Sequence, residues 1–197
     1  MYKKITNNCY DLFYKVQLRA RAYIFFVCRG LKFKKIGSDC KIIGASELAL
    51  GKNVSIGERC WIECVKKYNG FKYNPRLIIE DNVSLSCFVH ISAVGQIVIE
   101  SGCLLGSSIY IGDHTHGATS PSILKCNEKI PPAMRTLQNI DEIIIGRNTW
   151  ICDGVVLLPG TRLFADSIVA ANSVVKIKTD RPALIAGAPA KIIKYLD

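Results

Sequence analysis

Acids are scarce where bases are densest, histidines are few, and no apolar run is long enough to cross a bilayer. The longest charge-free stretch, Asn82 to Ile99, holds three serines, His90, Gly95 and Gln96, whereas a spanning helix needs about 20 predominantly apolar residues. Lys3 and Lys4 are followed by Thr6, Asn7, Asn8 and Asp11, where a secretion signal needs an apolar centre. The expectation is a cytoplasmic protein. The nine cysteines include no Cys-x-x-Cys pair and are odd in number, which argues against a disulfide scaffold; Cys40, Cys60 and Cys103 read as small apolar filler. Only three histidines occur, His90, His114 and His116, so acid–base chemistry near neutral pH has few carriers. The basic residues belong to no recognised nucleic-acid-reading module, and nucleic acid is not an expected partner.

What is present is a beat of six. Ile145, Ile151, Leu157, Leu163, Val169 and Val175 are evenly spaced, and small residues (Thr149, Val155, Thr161, Ser167 and Ser173) follow the first five at a distance of four. Helices repeat near 3.6 residues and strands near 2.0, so neither element alone gives this period. A solenoid of short strands does, with one inward aliphatic residue per face stacking on its copies in neighbouring coils. The beat recurs with slips of phase at Ile36–Ile42, Leu50–Ile56–Ile62, Ile79–Leu85–Ile91 and Ile99–Leu105–Ile111, with Val54, Cys60, Val83, Val89, Cys103, Ile109 and Thr115 in the small position. Gly37, Gly51, Gly57, Gly106, Gly112 and Gly146 follow the aliphatic residue and read as tight corners with positive φ.

Three regions follow. Residues 1–35 carry nine of the 26 basic side chains and one acid, Asp11. Leu12, Phe13, Val16, Ala20, Tyr23, Ile24 and Val27 have helical spacing, with Asn7 or Asn8 as cap and Gly30 as stop. Two roles stay open: a cap over the first coil's strand edges, and peripheral contact with an anionic membrane at its inner face. Residues 36–175 form the solenoid, interrupted at 66–77, a basic and aromatic stretch that includes Tyr73, and at 113–142. The second interruption exceeds the usual length of a structureless loop and so reads as functional. It opens Asp113-His114-Thr115-His116-Gly117. Residues 176–197 leave the repeat as a turn and a short strand or helix packing on the solenoid.

Acyl transfer from a thioester to a hydroxyl needs a base near neutral pH and donors for a developing oxyanion, and the His-x-His pair at the root of the long excursion is the natural place for the base. The hexapeptide pattern resembles the hexapeptide-repeat acyltransferases, mainly β proteins built as a left-handed parallel β-helix. Ile111-Gly112-Asp113-His114-Thr115-His116-Gly117, Ile145-Gly146-Arg147-Asn148-Thr149-Trp150-Ile151, Leu158-Pro159-Gly160 and Ala186-Gly187-Ala188-Pro189-Ala190-Lys191 are similar to motifs of the bacterial sugar and polysaccharide O-acetyltransferases, and of the maltose and galactoside enzymes. The resemblance implies that the one long loop is catalytic, with a homotrimer, acetyl-CoA in a groove between subunits, and a saccharide acceptor, free, nucleotide-linked or lipid-linked; no metal is expected. It places the base at His116, with His114 as a substrate or neighbouring contact. Asp113 either orients an imidazole or caps a turn. Trp150, Cys152, Asp153, Ala171, Asn172 and Lys191 are the implied cofactor contacts, and His90 and Tyr73 acceptor contacts. Cys152 departs from the family's usual Gly there; if close approach of CoA requires that Gly, a Cys narrows the groove. Two other readings share the solenoid: a zinc γ-carbonic-anhydrase-like enzyme using His90, His114 and His116, and a non-catalytic scaffold.

Overall fold

A computed structural model describes residues 2–117 and 130–196, with side chains from Leu12 onward. The chain winds into a three-faced solenoid of short parallel strands. Face one runs through Lys35–Ile36, Ser55–Ile56, Ser84–Leu85, Leu104–Leu105, Trp150–Ile151 and Ile168–Val169. Face two holds Lys41–Ile43, Trp61–Cys64, His90–Ala93, Tyr110–Gly112, Val156–Leu157 and Val174–Val175. Face three holds Leu48–Leu50, Arg76–Ile79, Gln96–Ile99, Ile143–Ile145 and Arg162–Leu163. Successive beats therefore lie on successive faces, and the stacking partner is the residue one coil away. On face one Ile36 registers with Ile56, Ile56 with Leu85, Leu85 with Leu105, Leu105 with Ile151 and Ile151 with Val169. All six are essentially buried, and each contributes roughly 1.5–3 kcal/mol of apolar burial. Thr149, Val155, Thr161, Ser167 and Ser173 are buried beside them. Thr115 does not take the small position; it is half-buried on a strand of the excursion.

The glycines do a different job from the one expected of them. None of Gly37, Gly51, Gly57, Gly106, Gly112 and Gly146 has positive φ. A Cβ on Gly37 would stand 2.5 Å from the backbone nitrogen of Glu58, and one on Gly146 the same distance from that of Ala165. Gly37, Gly51, Gly57 and Gly146 are small because the next coil's backbone passes over them, whereas a Cβ on Gly112 would meet the Tyr110 side chain. The left-handed residue sits further on, just before the small inward one, as at Asn53, Asn82, Asn148 and Asn172. Asn tolerates that region better than most residues, and the side chains form ladders, with Asn53 Nδ2 donating to Asn82 Oδ1 at 3.2 Å and Asn148 Nδ2 to Asp166 Oδ1 at 3.1 Å.

Every slip of the beat falls at one corner, between faces two and three. There the interval is eight from Ile42 to Leu50, seventeen from Ile62 to Ile79, eight from Ile91 to Ile99 and thirty-four from Ile111 to Ile145. Both interruptions thus leave the solenoid from the same corner. The first folds as a two-stranded hairpin, Lys67–Tyr68 with Phe71–Lys72.

The ends are closed differently. The N-terminal helix spans Tyr2–Arg29, so Asn7 and Asn8, expected as caps, lie inside it; an interior Asn costs under about 1 kcal/mol, too little to set a boundary. Gly30 ends it at φ 69. The helix packs on the first coil through Leu18 and Ala22, which are buried, and through Phe25, which meets Phe33 edge-on at 6.0 Å. The stripe read from the sequence faces away instead: Leu12, Phe13, Val16, Tyr23, Ile24 and Val27 are each more than half exposed. Periodicity finds an apolar stripe, and this helix has two. At the other end Ala183–Gly187 extends face one and Ala190–Tyr195 folds back antiparallel on it, making the tail a strand hairpin.

Candidate active site

Three aromatic rings line up on face two because they occupy one register position, immediately before the inward aliphatic residue. Trp61 pairs with His90, and His90 with Tyr110. Trp61 and His90 stack at 4.5 Å between ring centres and 10° between planes, while Tyr110 meets His90 edge-on at 5.2 Å. A Cβ on Gly112 would land on the Tyr110 hydroxyl. Gly112→Ala is therefore expected to push Tyr110 aside with the fold intact, reading out as a raised KM for the acceptor; an unchanged KM removes Tyr110 from the site.

The excursions wall off the end of this row. Asp113 is fully buried at the corner, where Oδ1 accepts the Val94 N–H at 2.9 Å and Oδ2 the Gly95 N–H at 2.8 Å. The same Oδ1 lies 3.1 Å from His114 Nδ1. Asp113 thus caps a turn and orients an imidazole at once, and the imidazole is that of His114. His116 pairs with Leu137 on a short antiparallel strand; its exposed ring meets Tyr68 edge-on at 5.2 Å and His114 at 6.2 Å. The entrance and exit of the excursion are tied by the Asp141 N–H donating to the Asp113 carbonyl at 3.0 Å. The result is a groove of about 340 Å³ bounded by Trp61, Glu63, Lys67, Tyr68, His90, Tyr110, His114 and His116.

Tyr73, expected against the acceptor, is a strut instead. Its hydroxyl accepts the Leu137 N–H at 3.0 Å, and it packs against Val65, Val94 and Leu137. Tyr68 stands at the groove in its place, its hydroxyl donating to the Ala133 carbonyl at 2.8 Å. Trp61, Glu63, Tyr68 and Tyr110 are the residues that sequence reasoning missed. For Trp61 and Tyr110 the signal was available: reading the residue before the inward aliphatic on every third beat picks out Trp61, His90 and Tyr110 as one column. Residues 118–129 of the excursion lie outside the described residues.

Burial, and then the nearby His114, push the His90 imidazole below its ordinary value of 6.5. Burial, and then the Asp113 charge, raise the Tyr110 phenol. Since His90 binds a proton more weakly folded than unfolded, the unfolded chain takes up more protons as pH falls below about 6.5, and stability drops through that window. His90→Gln is expected to flatten the fall in denaturation midpoint between about pH 7.5 and 5.5; an unchanged slope would place the pH dependence elsewhere. Although His90, His114 and His116 share the groove, no set of three His, Cys, Asp or Glu side chains among the described residues is placed to hold a metal.

The residues implied for the cofactor lie apart from this groove. Trp150 is half-exposed on face one, and Cys152 and Asp153 form the corner that follows it. Ala171 and Asn172 form the same corner one coil on, where the Asn172 N–H donates to the Asp153 carbonyl at 2.9 Å. Lys191 is exposed on the closing strand of face one. Burial, and then Asp153, raise the Cys152 thiol. These residues form one ridge, between faces one and two, whereas His114 and His116 rise at the other edge of face two.

No protein-family model matches the chain. It is 38% identical over 118 residues to WbbJ of Escherichia coli K12, whose name assigns it to lipopolysaccharide biosynthesis as an O-acetyl transferase; the match spans 60% of each chain. A hexapeptide-repeat acetyltransferase from Vibrio cholerae O1 biovar eltor, solved with acetyl-CoA, superposes with a TM-score of 0.57 at 21% identity, covering 91% of this chain and 78% of that one. The fold is that of the hexapeptide-repeat acetyltransferases. Within the hexapeptide-repeat fold the winding is left-handed, as the resemblance implied. AntD, an N-acyltransferase from Bacillus cereus solved with dTDP-4-amino-4,6-dideoxyglucose and coenzyme A, shares that fold at a TM-score of 0.59 and 16% identity, over 83% of this chain and 82% of its own.

Proposed function

We propose that this protein is an acetyl-CoA-dependent O-acetyltransferase acting on a hydroxyl of a nucleotide-linked or lipid-linked sugar destined for a bacterial surface polysaccharide. The observation that carries the reading is the groove, which sets an exposed imidazole, His116, beside a row of aromatic faces. Aromatic rings pack on the C–H face of a sugar, and Glu63 and Lys67 supply polar contacts at the rim. The likeness to WbbJ supports the O-acetyl chemistry, and the saccharide bound to AntD supports the acceptor class.

In this reading His116 takes the proton of the attacking hydroxyl, the role for which an imidazole is suited near neutral pH. His114, held by Asp113, fixes the floor on which His116 and the acceptor rest. Acetyl-CoA supplies the thioester carbonyl that the hydroxyl attacks, leaving the thiol of CoA. Trp150 and the corner formed by Cys152, Asp153, Ala171 and Asn172 would lie along its pantetheine arm, with Lys191 near a phosphate. That ridge and His116 stand on opposite edges of face two, and in this reading a neighbouring copy in a homotrimer supplies its ridge to the groove. In this reading the donor is drawn from the cytoplasmic acetyl-CoA pool, and the reaction takes place on that side.

The test is thiol release from acetyl-CoA across a panel of nucleotide sugars and lipid-linked oligosaccharides, with mass spectrometry of the product. Sugar-dependent release with an acetylated sugar is the expected result. Release that no saccharide stimulates would overturn the assignment.

A further inference from the structure

The N-terminal helix packs on the solenoid with one apolar face and leaves a second one bare among the described residues. Leu12, Phe13, Val16, Tyr23, Ile24 and Val27 are each more than half exposed, and at 100° per residue they occupy a single arc of about 120°. The face that meets the first coil is a different one, built from Leu18, Ala22 and Phe25. A helix that only closed the end of the solenoid would need the packed face alone.

We propose that the bare face rests on an anionic membrane surface. Charge selects this occupant. Residues 1–35 hold nine Lys and Arg against a single acid, and Lys15 and Arg19, both exposed, border the stripe on one side. Just past the helix, Lys32, Lys34 and Lys52 line a cleft with Phe33, Leu50 and a single acid, Asp81, so the same end of the molecule continues with basic residues in excess. A second copy of this helix would bring like charges together at the contact, whereas phosphate headgroups neutralise them. Apolar residues over a basic flank are what an interfacial helix presents to the boundary between headgroups and acyl chains. No helix among the described residues is long and apolar enough to cross a membrane, and the arrangement is one of lying on the surface. The inference is independent of the acetyltransferase reading, because it uses none of the groove residues.

The experiment is co-sedimentation of the full chain with vesicles, without acetyl-CoA or sugar. Vesicles of phosphatidylcholine carrying about 30% phosphatidylglycerol are expected to bind the protein at least tenfold more tightly than pure phosphatidylcholine, with binding weakening as salt rises. A Val16→Asp, Ile24→Asp double variant alters only exposed positions, so its circular dichroism should match the wild type while its vesicle affinity falls at least tenfold. Wild-type protein that ignores anionic vesicles, or a double variant that binds them unchanged, would overturn the proposal. So would a double variant whose mass by light scattering drops while wild-type protein fails to bind vesicles, an outcome that assigns the face to a second copy.

Discussion

His116→Ala is expected to lower turnover on the true acceptor by about 10²–10⁴-fold, the usual contribution of a positioned general base. The loss should appear in kcat, because the imidazole acts on a proton that moves in the transition state and contributes little to ground-state binding. Stability should hardly change: the ring is exposed, and a surface substitution of this kind shifts stability by about 0.5 kcal/mol or less. His114→Ala is the informative control. Its ring is almost buried and hydrogen-bonded to Asp113, so its removal should cost stability together with a smaller loss of rate. If His114→Ala abolishes turnover and His116→Ala retains it, the base is His114.

Asp113→Ala is expected to lower stability by roughly 2–4 kcal/mol, because it strands one buried backbone donor, at about 1–3 kcal/mol, and one half-buried donor, which water can partly satisfy. Those donors, the N–H groups of Val94 and Gly95, belong to the coil beneath, so the residue ties that coil to the root of the excursion. Activity should fall with it, since His114 loses its partner and the entrance of the excursion loosens. Chemical denaturation followed by circular dichroism reads the first effect, and limited proteolysis within the excursion reads the second. A variant with a wild-type denaturation midpoint would show that water or a backbone shift replaces the carboxylate. Asp113→Asn keeps the volume but leaves only one acceptor oxygen, and should fall between the two.

The shape was legible because the stack repeats. One aliphatic residue in six, met again and again, specifies a solenoid more firmly than any single strand could, and the buried columns follow it residue for residue. Handedness was not legible from spacing and came from resemblance. The glycines misled because smallness answers two demands, positive φ and close approach, and sequence does not separate them; here Gly37 and Gly146 serve the second while Asn53 and Asn148 serve the first. The site was half legible. Asp113, His114 and His116 stand out as neighbours in sequence, but Trp61 and Tyr68 reach them through coil stacking and loop-to-loop contact. Tyr73 was chosen for its ring, and only the bond to Leu137 reveals that it braces one excursion against the other.

The slips of the beat all lie on one ridge. The other two corners hold a strict interval of six, so those edges are rigid in length and neighbouring coils can be laid against them without adjustment. The ridge between faces two and three absorbs seventeen residues in one coil and thirty-four in another, while the intervening coil passes with eight. Length can be added or removed there without re-registering a single inward side chain. A library of loops exchanged at residues 65–75 and 117–139 would therefore vary what the groove accepts while leaving the scaffold standing. The geometry that makes the solenoid monotonous also confines its inventiveness to one edge.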